Sequence, residues 1–368
     1  LEDNTSYGFV FRGSDFLSGS KINPVELINP KLAKSTKSHE VIDALSFAAE
    51  WYSGKSTFEL KTSGSTGPAK NIEVAREQMI ASAQGTIKTL HLTTKDHSLL
   101  CLSSEYIGGK MMLVRAMELG NKCTIVPSQK DPLAQYPTQH DFTFTALVPT
   151  QLQEILKREN GIEQLQKFKA ILIGGSSIPL KIIELCKEYT LPAWQTFGMT
   201  ETVSHIALRN LGKDEINYRV MDGVKIGVDN RNCLWMEGAV TNYNRIQSND
   251  IIELIGSQEF QWLGRYDNVI NSGGIKLYPE QIEAEISTLI PSTIAYFIFG
   301  LEDLEWGQKA VLILETQEVP KDLLPQIKTK LGSIKCPKII IALDSFIRTT
   351  NGKIQRPRTI QKVIKTKA

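Results

Sequence analysis

Thr62-Ser63-Gly64-Ser65-Thr66-Gly67-Pro68-Ala69-Lys70 gathers hydroxyls, glycines and a lysine into one short stretch, with Phe58-Glu59-Leu60-Lys61 before it and Ile72-Glu73-Val74 after. It reads as a loop between two strands. Glycines let several backbone N–H groups converge on one anion, hydroxyls add donors, and the lysine adds a point charge. That chemistry suits a polyphosphate such as ATP. It is not a Walker A loop, because Asn71 follows Lys70 and the Gly-x-x-x-x-Gly-Lys spacing is absent. A plain Ser/Gly surface turn is the other reading of the same residues.

Two further glycine- and hydroxyl-rich turns, Gly174-Gly175-Ser176-Ser177 and Phe197-Gly198-Met199-Thr200-Glu201-Thr202, each follow a short apolar run, 169–173 and 192–197. Between residues 99 and 197 such runs alternate with helical patterns, which predicts a mostly parallel sheet covered by helices, an α/β fold. Ligands of such sheets gather at the carboxyl ends of the strands, where these turns fall. Before them, 1 to about 37 is polar and irregular. A helix over 38–54 follows, with its apolar positions on one face. From 218 to 262 the period shortens to that of a small antiparallel β-region. Gly264-Arg265-Tyr266-Asp267 then marks a boundary, and a smaller α+β unit runs to the end. The expected division is therefore an N-terminal domain, 1–264, and a C-terminal domain, 265–368.

Composition narrows the function classes. The 368 residues carry a formal net charge of +2, with 41% hydrophobic and 22% charged residues, so neither disorder, nucleic-acid steering nor a polybasic membrane anchor is expected. No apolar run approaches the roughly 18 to 20 residues of a membrane span. The start, Leu1-Glu2-Asp3-Asn4-Thr5, lacks a signal pattern, so the cytoplasm is the expected compartment. Cys101, Cys123, Cys186, Cys233 and Cys336 are dispersed, mostly within apolar segments, and read as small core residues rather than a disulfide or zinc framework.

In order along the chain, Thr62–Lys70, Phe197–Thr202, Ser248-Asn249-Asp250, Gly264-Arg265-Tyr266-Asp267 with Ser272-Gly273-Gly274 and Pro279-Glu280-Gln281-Ile282-Glu283, and Asn351-Gly352-Lys353-Ile354 resemble the motifs of the acyl-adenylate-forming (AMP-binding) ligase superfamily. The resemblance covers nearly the whole chain. It implies a large N-terminal domain, a small mobile C-terminal domain, and a reaction in which a carboxylate attacks the α-phosphorus of ATP. Two anions must meet there, so positive charge and a metal are needed at the phosphates. The resemblance implies that Thr62, Ser63, Gly64, Ser65, Thr66, Gly67 and Lys70 hold pyrophosphate, that Thr200 contacts phosphate, and that Glu201 binds Mg²⁺. Phe197, Gly198, Gly174, Gly175 and Ser176 would flank the nucleotide. Asp250 would bind the ribose with Arg265 assisting, and Lys353 would bridge carboxylate and α-phosphate. Asp267 would be the hinge about which the small domain turns to bring Gly273-Gly274 beside the pantetheine of CoA.

The chain departs from the pattern in places: Ser248-Asn249 replaces Thr-Gly, Ile347 stands at a usual proline, and only 61 residues precede the loop, so an N-terminal subdomain is expected to be reduced. Read without the resemblance, Glu201 is a loop carboxylate, Asp250 a turn residue and Lys353 a solvated lysine near the tail. Two local features are similar to the o-succinylbenzoate–CoA ligases of menaquinone biosynthesis. One is the run from Phe197 to Ser204, with Phe197 in place of tyrosine; the other is Tyr106-Ile107-Gly108-Gly109 with Arg115 on the following helix, Tyr106 standing where histidine is usual. Arg115 would then pair with the second carboxylate of an aromatic dicarboxylic acid, or else snorkel from an amphipathic helix. Two other readings stay open: another aryl or acyl ligase using CoA or a carrier-protein thiol, and a non-catalytic nucleotide-binding protein of the same fold.

Overall fold

The computed structural model describes residues 7–10, 38–61, 71–291, 293–348 and 354–367. The loop 62–70 and Lys353 lie outside the described residues. Strands β1 (Tyr7–Val10), β2 (Thr57–Lys61) and β3 (Asn71–Ala75) come with helices α1 (His39–Tyr52) and α2 (Arg76–Thr89). The next elements are β4 (His97–Leu100), α3 (Ile107–Leu119), β5 (Lys122–Ile125), β6 (Phe144–Leu147), α4 (Pro149–Leu156), α5 (Gly161–Gln166), β7 (Ala170–Ile173), α6 (Leu180–Glu188) and β8 (Ala193–Gly198). Strands β5-β4-β6-β7-β8 lie parallel. Successive side chains of these strands point to opposite faces. Leu100, Phe144 and Leu172 accordingly pack with Phe47, Trp51, Met79 and Met112 of α1, α2 and α3. Leu99, Ile171 and Ile173 pack with Leu152, Ile155, Leu165 and Ile182 of α4, α5 and α6. Helices thus cover both faces of the parallel strands, as the apolar runs predict.

The structure differs from the sequence reading in two respects. First, β4 begins at His97 rather than Leu99, because its polar residues are satisfied sideways: His97 Nε2 lies 2.8 Å from Thr124 Oγ1 and Asn121 Nδ2 donates to Ser98 Oγ at 3.0 Å. Second, the irregular lead-in contains β1, which pairs antiparallel with β5. The small antiparallel β-region expected from the sequence is present and continues the main sheet. Strands β9 (His205–Asn210), β10 (Tyr218–Val220), β11 (Val224–Val228), β12 (Cys233–Gly238), β13 (Ile246–Gly256) and β14 (Glu259–Arg265) continue the parallel strands through the antiparallel β8–β9 pair, giving one 12-stranded sheet in the order β1-β5-β4-β6-β7-β8-β9-β10-β14-β13-β12-β11. An edge hydrogen-bonding ladder accepts a strand of either direction, so a change of period does not end a sheet.

After Arg265 the strands β15 (Ile270–Ser272), β16 (Ile275–Leu277), β17 (Tyr296–Asp303), β18 (Gly307–Glu315) and β19 (Ile339–Leu343) form a second, five-stranded sheet. Helices α7 (Pro279–Ile286) and α8 (Leu323–Lys335) meet Ile298, Leu312 and Leu314 on one face. Val363 of α9 (Arg356–Lys367) meets Phe297, Val311 and Ile313 on the other. All five cysteines are buried and free, as read from their apolar settings. Among the described residues no helix is long and apolar enough to cross a membrane.

Candidate active site

The flanks of the loop 62–70 are tied together: β2 and β3 pair antiparallel with Lys61 opposite Asn71 and Thr57 opposite Ala75. The turns after β7 and β8 lie side by side. A Cβ at Gly174 would sit 2.3 Å from Thr196 Oγ1 on β8, and one at Gly198 would sit 2.2 Å from the Ser204 carbonyl. Only glycine permits such close approaches. Gly175, Ser176 and Glu201 are exposed, while Thr200 is half-buried. The Phe197 ring packs against Tyr218 and Phe260 at centroid distances of 5.3 and 5.1 Å, so it is the backbone of β8 that reaches the edge.

The segment 199–204 is held tightly. Thr202 Oγ1 accepts the Met199 N–H at 3.1 Å and lies 2.9 Å from the Met199 carbonyl and 2.8 Å from that of Ser204. Val203, fully buried, has φ 65° and ψ −54°, and the Ser204 N–H donates to the Thr202 carbonyl across it at 2.7 Å. This is a γ-turn with positive φ, a strained conformation for a β-branched residue. The Thr202 hydroxyl over-determines it, and the chain reverses so that Glu201 stays outside while Ser204 turns inward.

Inward lies Arg115. Its side chain is buried on α3, Nη2 donates to Ser204 Oγ at 3.2 Å, and Nε meets no acceptor among the described residues. No described carboxylate pairs with it. Burial lowers its pKa to about 9, which leaves it charged at neutral pH. The snorkelling alternative is thereby excluded. His205, also buried, sits with Nε2 3.0 Å from Thr86 Oγ1 and Nδ1 3.4 Å from Ser204 Oγ. Burial first, and the Arg115 charge second, push its pKa well below 6.5. Ser204, which accepts from the guanidinium, and His205, next to it in the chain, are thus uncharged. Tyr106, at the start of α3, is 45% exposed and lies about 13 Å along the helix from Arg115 by the rise per residue.

Thr86 and His205 escaped sequence reading; the only signal was that His205 follows Ser204 directly. Their pairing has a stability consequence. The unfolded chain's histidine titrates near 6.5 while the folded one stays neutral, so the stability present above that value declines as pH falls through it. His205→Gln is expected to flatten the fall in thermal midpoint between about pH 7 and about pH 5. An unchanged slope would assign the effect to His97 and His140, which burial also shifts downward.

The third group sits on β13 and β14. Asp250 is opposite Arg265 in register, and their side chains meet at 3.3 Å. Asp250 Oδ1 accepts the Trp262 indole N–H at 3.1 Å, a partner that only the strand pairing discloses. Arg265 also reaches Asp267 at 3.3 Å, and Asn249 Nδ2 donates to both oxygens of that carboxylate at 3.2 Å. Gly273 and Gly274, with φ 56° and 79°, make the two-residue turn of the β15–β16 hairpin, as a type I′ turn requires. The exposed Glu201 makes no ion pair among the described residues, and its hard oxygens suit Mg²⁺.

Glycine turns at the carboxyl edge of the parallel strands, with a carboxylate–arginine pair on β13 and β14 of the same sheet, place this chain among α/β proteins with a ligand edge. Comparison with known proteins agrees. The family described as AMP-binding enzyme matches residues 60–228. An acyl-CoA synthetase (AMP-forming)/AMP-acid ligase II-like protein from Dyadobacter fermentans is 38% identical, with 90% of this chain and 97% of that one covered and a TM-score of 0.62. The 2-succinylbenzoate–CoA ligase of Escherichia coli K12 is 26% identical over 324 residues, 84% of this chain and 69% of that protein. That of Lactococcus lactis is 24% identical, covering 91% and 78%. The o-succinylbenzoate CoA synthetase of Bacillus subtilis, solved with ATP and a magnesium ion, shares the fold at TM-score 0.69 and 22% identity, covering 82% and 69%. The chain belongs to the AMP-binding enzyme family, as an ATP-dependent, adenylate-forming acyl-CoA ligase.

Proposed function

We propose that the acid activated is an aromatic dicarboxylic acid, o-succinylbenzoate, and that the chain makes its CoA thioester as a step of menaquinone biosynthesis. The observation that carries this reading is Arg115: a buried guanidinium that described residues leave without a counter-charge, beside the hydroxyl of Ser204. A cation in that position stabilises an entering anion strongly. An acid with one carboxylate for the reaction and a second for Arg115 fits it. The curated relatives, whose name is 2-succinylbenzoate–CoA ligase, support the same choice.

In the first half-reaction a carboxylate oxygen of the acid bonds to the α-phosphorus of ATP and the bond to pyrophosphate breaks. The loop 62–70 and Thr200 are assigned the phosphates, Asp250 with Arg265 the ribose, and Lys353 the charge that develops between carboxylate and α-phosphate. Magnesium at Glu201 would offset phosphate charge. In the second, the CoA sulfur bonds to the acyl carbon, AMP leaves and the thiol proton passes to solvent. Residues 265–368 are proposed to turn about Asp267 between the two, bringing Gly273-Gly274 to the thiol.

AMP release, measured with ATP, Mg²⁺ and CoA across o-succinylbenzoate, benzoate, cinnamate, acetate and a medium-chain fatty acid, tests the reading. Strong selectivity for o-succinylbenzoate, with its thioester seen by mass spectrometry, is expected. Equal or better turnover of a monocarboxylic acid would discard the dicarboxylate and the pathway.

A further inference from the structure

Residues 349–353, which include Lys353, lie outside the described residues, and the described residues on either side of them are anchored. Before them Arg348 bridges to Ile354. Arg348 Nη1 meets Glu315 at 2.5 Å, and the Phe346 N–H donates to the same carboxylate at 2.7 Å. Glu315 is thereby held below the usual carboxylate range, the Arg348 hydrogen bond being the largest cause. After them stands Arg356, the first residue of α9. Arg356 Nη2 donates to Glu283 Oε2 at 2.7 Å, and Nη1 lies 3.7 Å from Glu280 Oε1. Glu283 Oε1 accepts the Ile298 N–H at 2.7 Å, and Glu280 Oε1 accepts from Asn268 Nδ2 at 2.5 Å. The guanidinium also lies over the Phe297 ring, 5.3 Å from its centroid.

Three segments therefore converge on one cation. Asn268 follows Asp267, and Glu280 and Glu283 belong to α7, the helix that follows the Gly273-Gly274 hairpin. Arg356 opens the helix that follows Lys353. Two acids share one arginine in a largely buried place, and Glu280 Oε2 and Arg356 Nη1 find no hydrogen bond among the described residues. A buried ionic cluster with unspent hydrogen-bonding capacity is a poor device for stability, since apolar packing of equal volume commonly serves better. Its geometric effect is to fix the start of α9, three residues after Lys353 in the chain, against α7 and β17.

We infer that Arg356, held by Glu283 and Glu280, is a positioning residue for Lys353 and sets the reach of that lysine in acyl-adenylate formation. The inference rests on the reading that Lys353 serves the first half-reaction. It carries a pH signature. Burial raises the Glu283 pKa to about 7, with Glu280 acting in the same direction and Arg356 and the Ile298 N–H against it. Facing Glu283 are Glu280 on its own helix, Arg356 of α9, and Tyr296 of β17, whose hydroxyl donates to the Glu283 backbone carbonyl at 2.8 Å. As pH falls through about 7, Glu283 takes up a proton, its charge pair with Arg356 is lost, and the anchor loosens.

The test measures two rates in the full-length chain across about pH 6 to about pH 8.5: acid-dependent ATP–pyrophosphate exchange, and CoA thioester formation from supplied acyl-adenylate. Arg356→Met and Glu283→Gln are expected to lower exchange about tenfold and to leave thioester formation within about twofold. Arg356→Lys, which keeps the charge, is expected to restore part of the loss. The acid limb of the exchange profile near pH 7 should disappear in Glu283→Gln. A parallel fall of both rates in folded protein, or unaltered exchange in Arg356→Met while Lys353→Ala has lost it, would overturn the positioning role. Exchange that survives Lys353→Ala would instead overturn the reading beneath it, and the inference with it.

Discussion

Lys353→Ala is expected to slow acyl-adenylate formation by at least about a hundredfold while thioester formation from supplied acyl-adenylate persists. The two half-reactions differ in what they ask of the protein. In the first, a carboxylate approaches a triphosphate, like charges meet, and negative charge grows on the oxygens around the α-phosphorus. A lysine placed there stabilises the transition state more than the separated anions, which is the condition for raising a rate rather than only an affinity. In the second, the electrophile is the carbonyl carbon of a mixed anhydride whose leaving group is already activated. ATP–pyrophosphate exchange reports the first step, and mass spectrometry of the thioester reports the second. Loss of both in protein that keeps its circular dichroism spectrum would sink this division of labour.

Arg115→Met is expected to raise KM for o-succinylbenzoate by about a hundredfold and to leave KM for ATP unaltered. Truncating one partner of a buried, hydrogen-bonded charge pair costs roughly 2 to 5 kcal/mol, and here the pair would form only when the acid is bound. The free protein should lose nothing in stability: a methionine in place of a buried cation that described residues leave uncompensated is expected to hold or raise the thermal midpoint. This combination separates a ligand-binding arginine from a structural one, whose removal lowers stability first. If the acid KM does not move in the variant, Arg115 has another purpose.

Much of the framework is legible in the amino-acid order because its signals are local. Leu99 and Leu100 point to opposite helix layers as a strand buried on both faces requires, and Gly273-Gly274 declares its own turn type. The glycines at 174 and 198 mark where strands end, hence where a ligand edge lies. Arg115 was ambiguous for a physical reason: α3 is buried almost all round, from Met111 to Met117, so the period of its apolar residues does not say which face meets solvent. The joining of the antiparallel strands to the parallel ones was likewise invisible, since a ladder edge carries no signature in composition.

What the chain order determined by itself is most of the elements from residue 38 onward, the edge where the turns gather and the residue types available there, all of them properties of neighbours a few positions apart. Only the tertiary structure decided that Ser204 and His205 meet Arg115 and Thr86, that Trp262 and Arg265 share Asp250, and that Arg356 reaches Glu283. These pairs stand 12 to 119 residues apart, and they exist because strand register and helix packing bring distant backbone segments into contact, which no periodicity encodes.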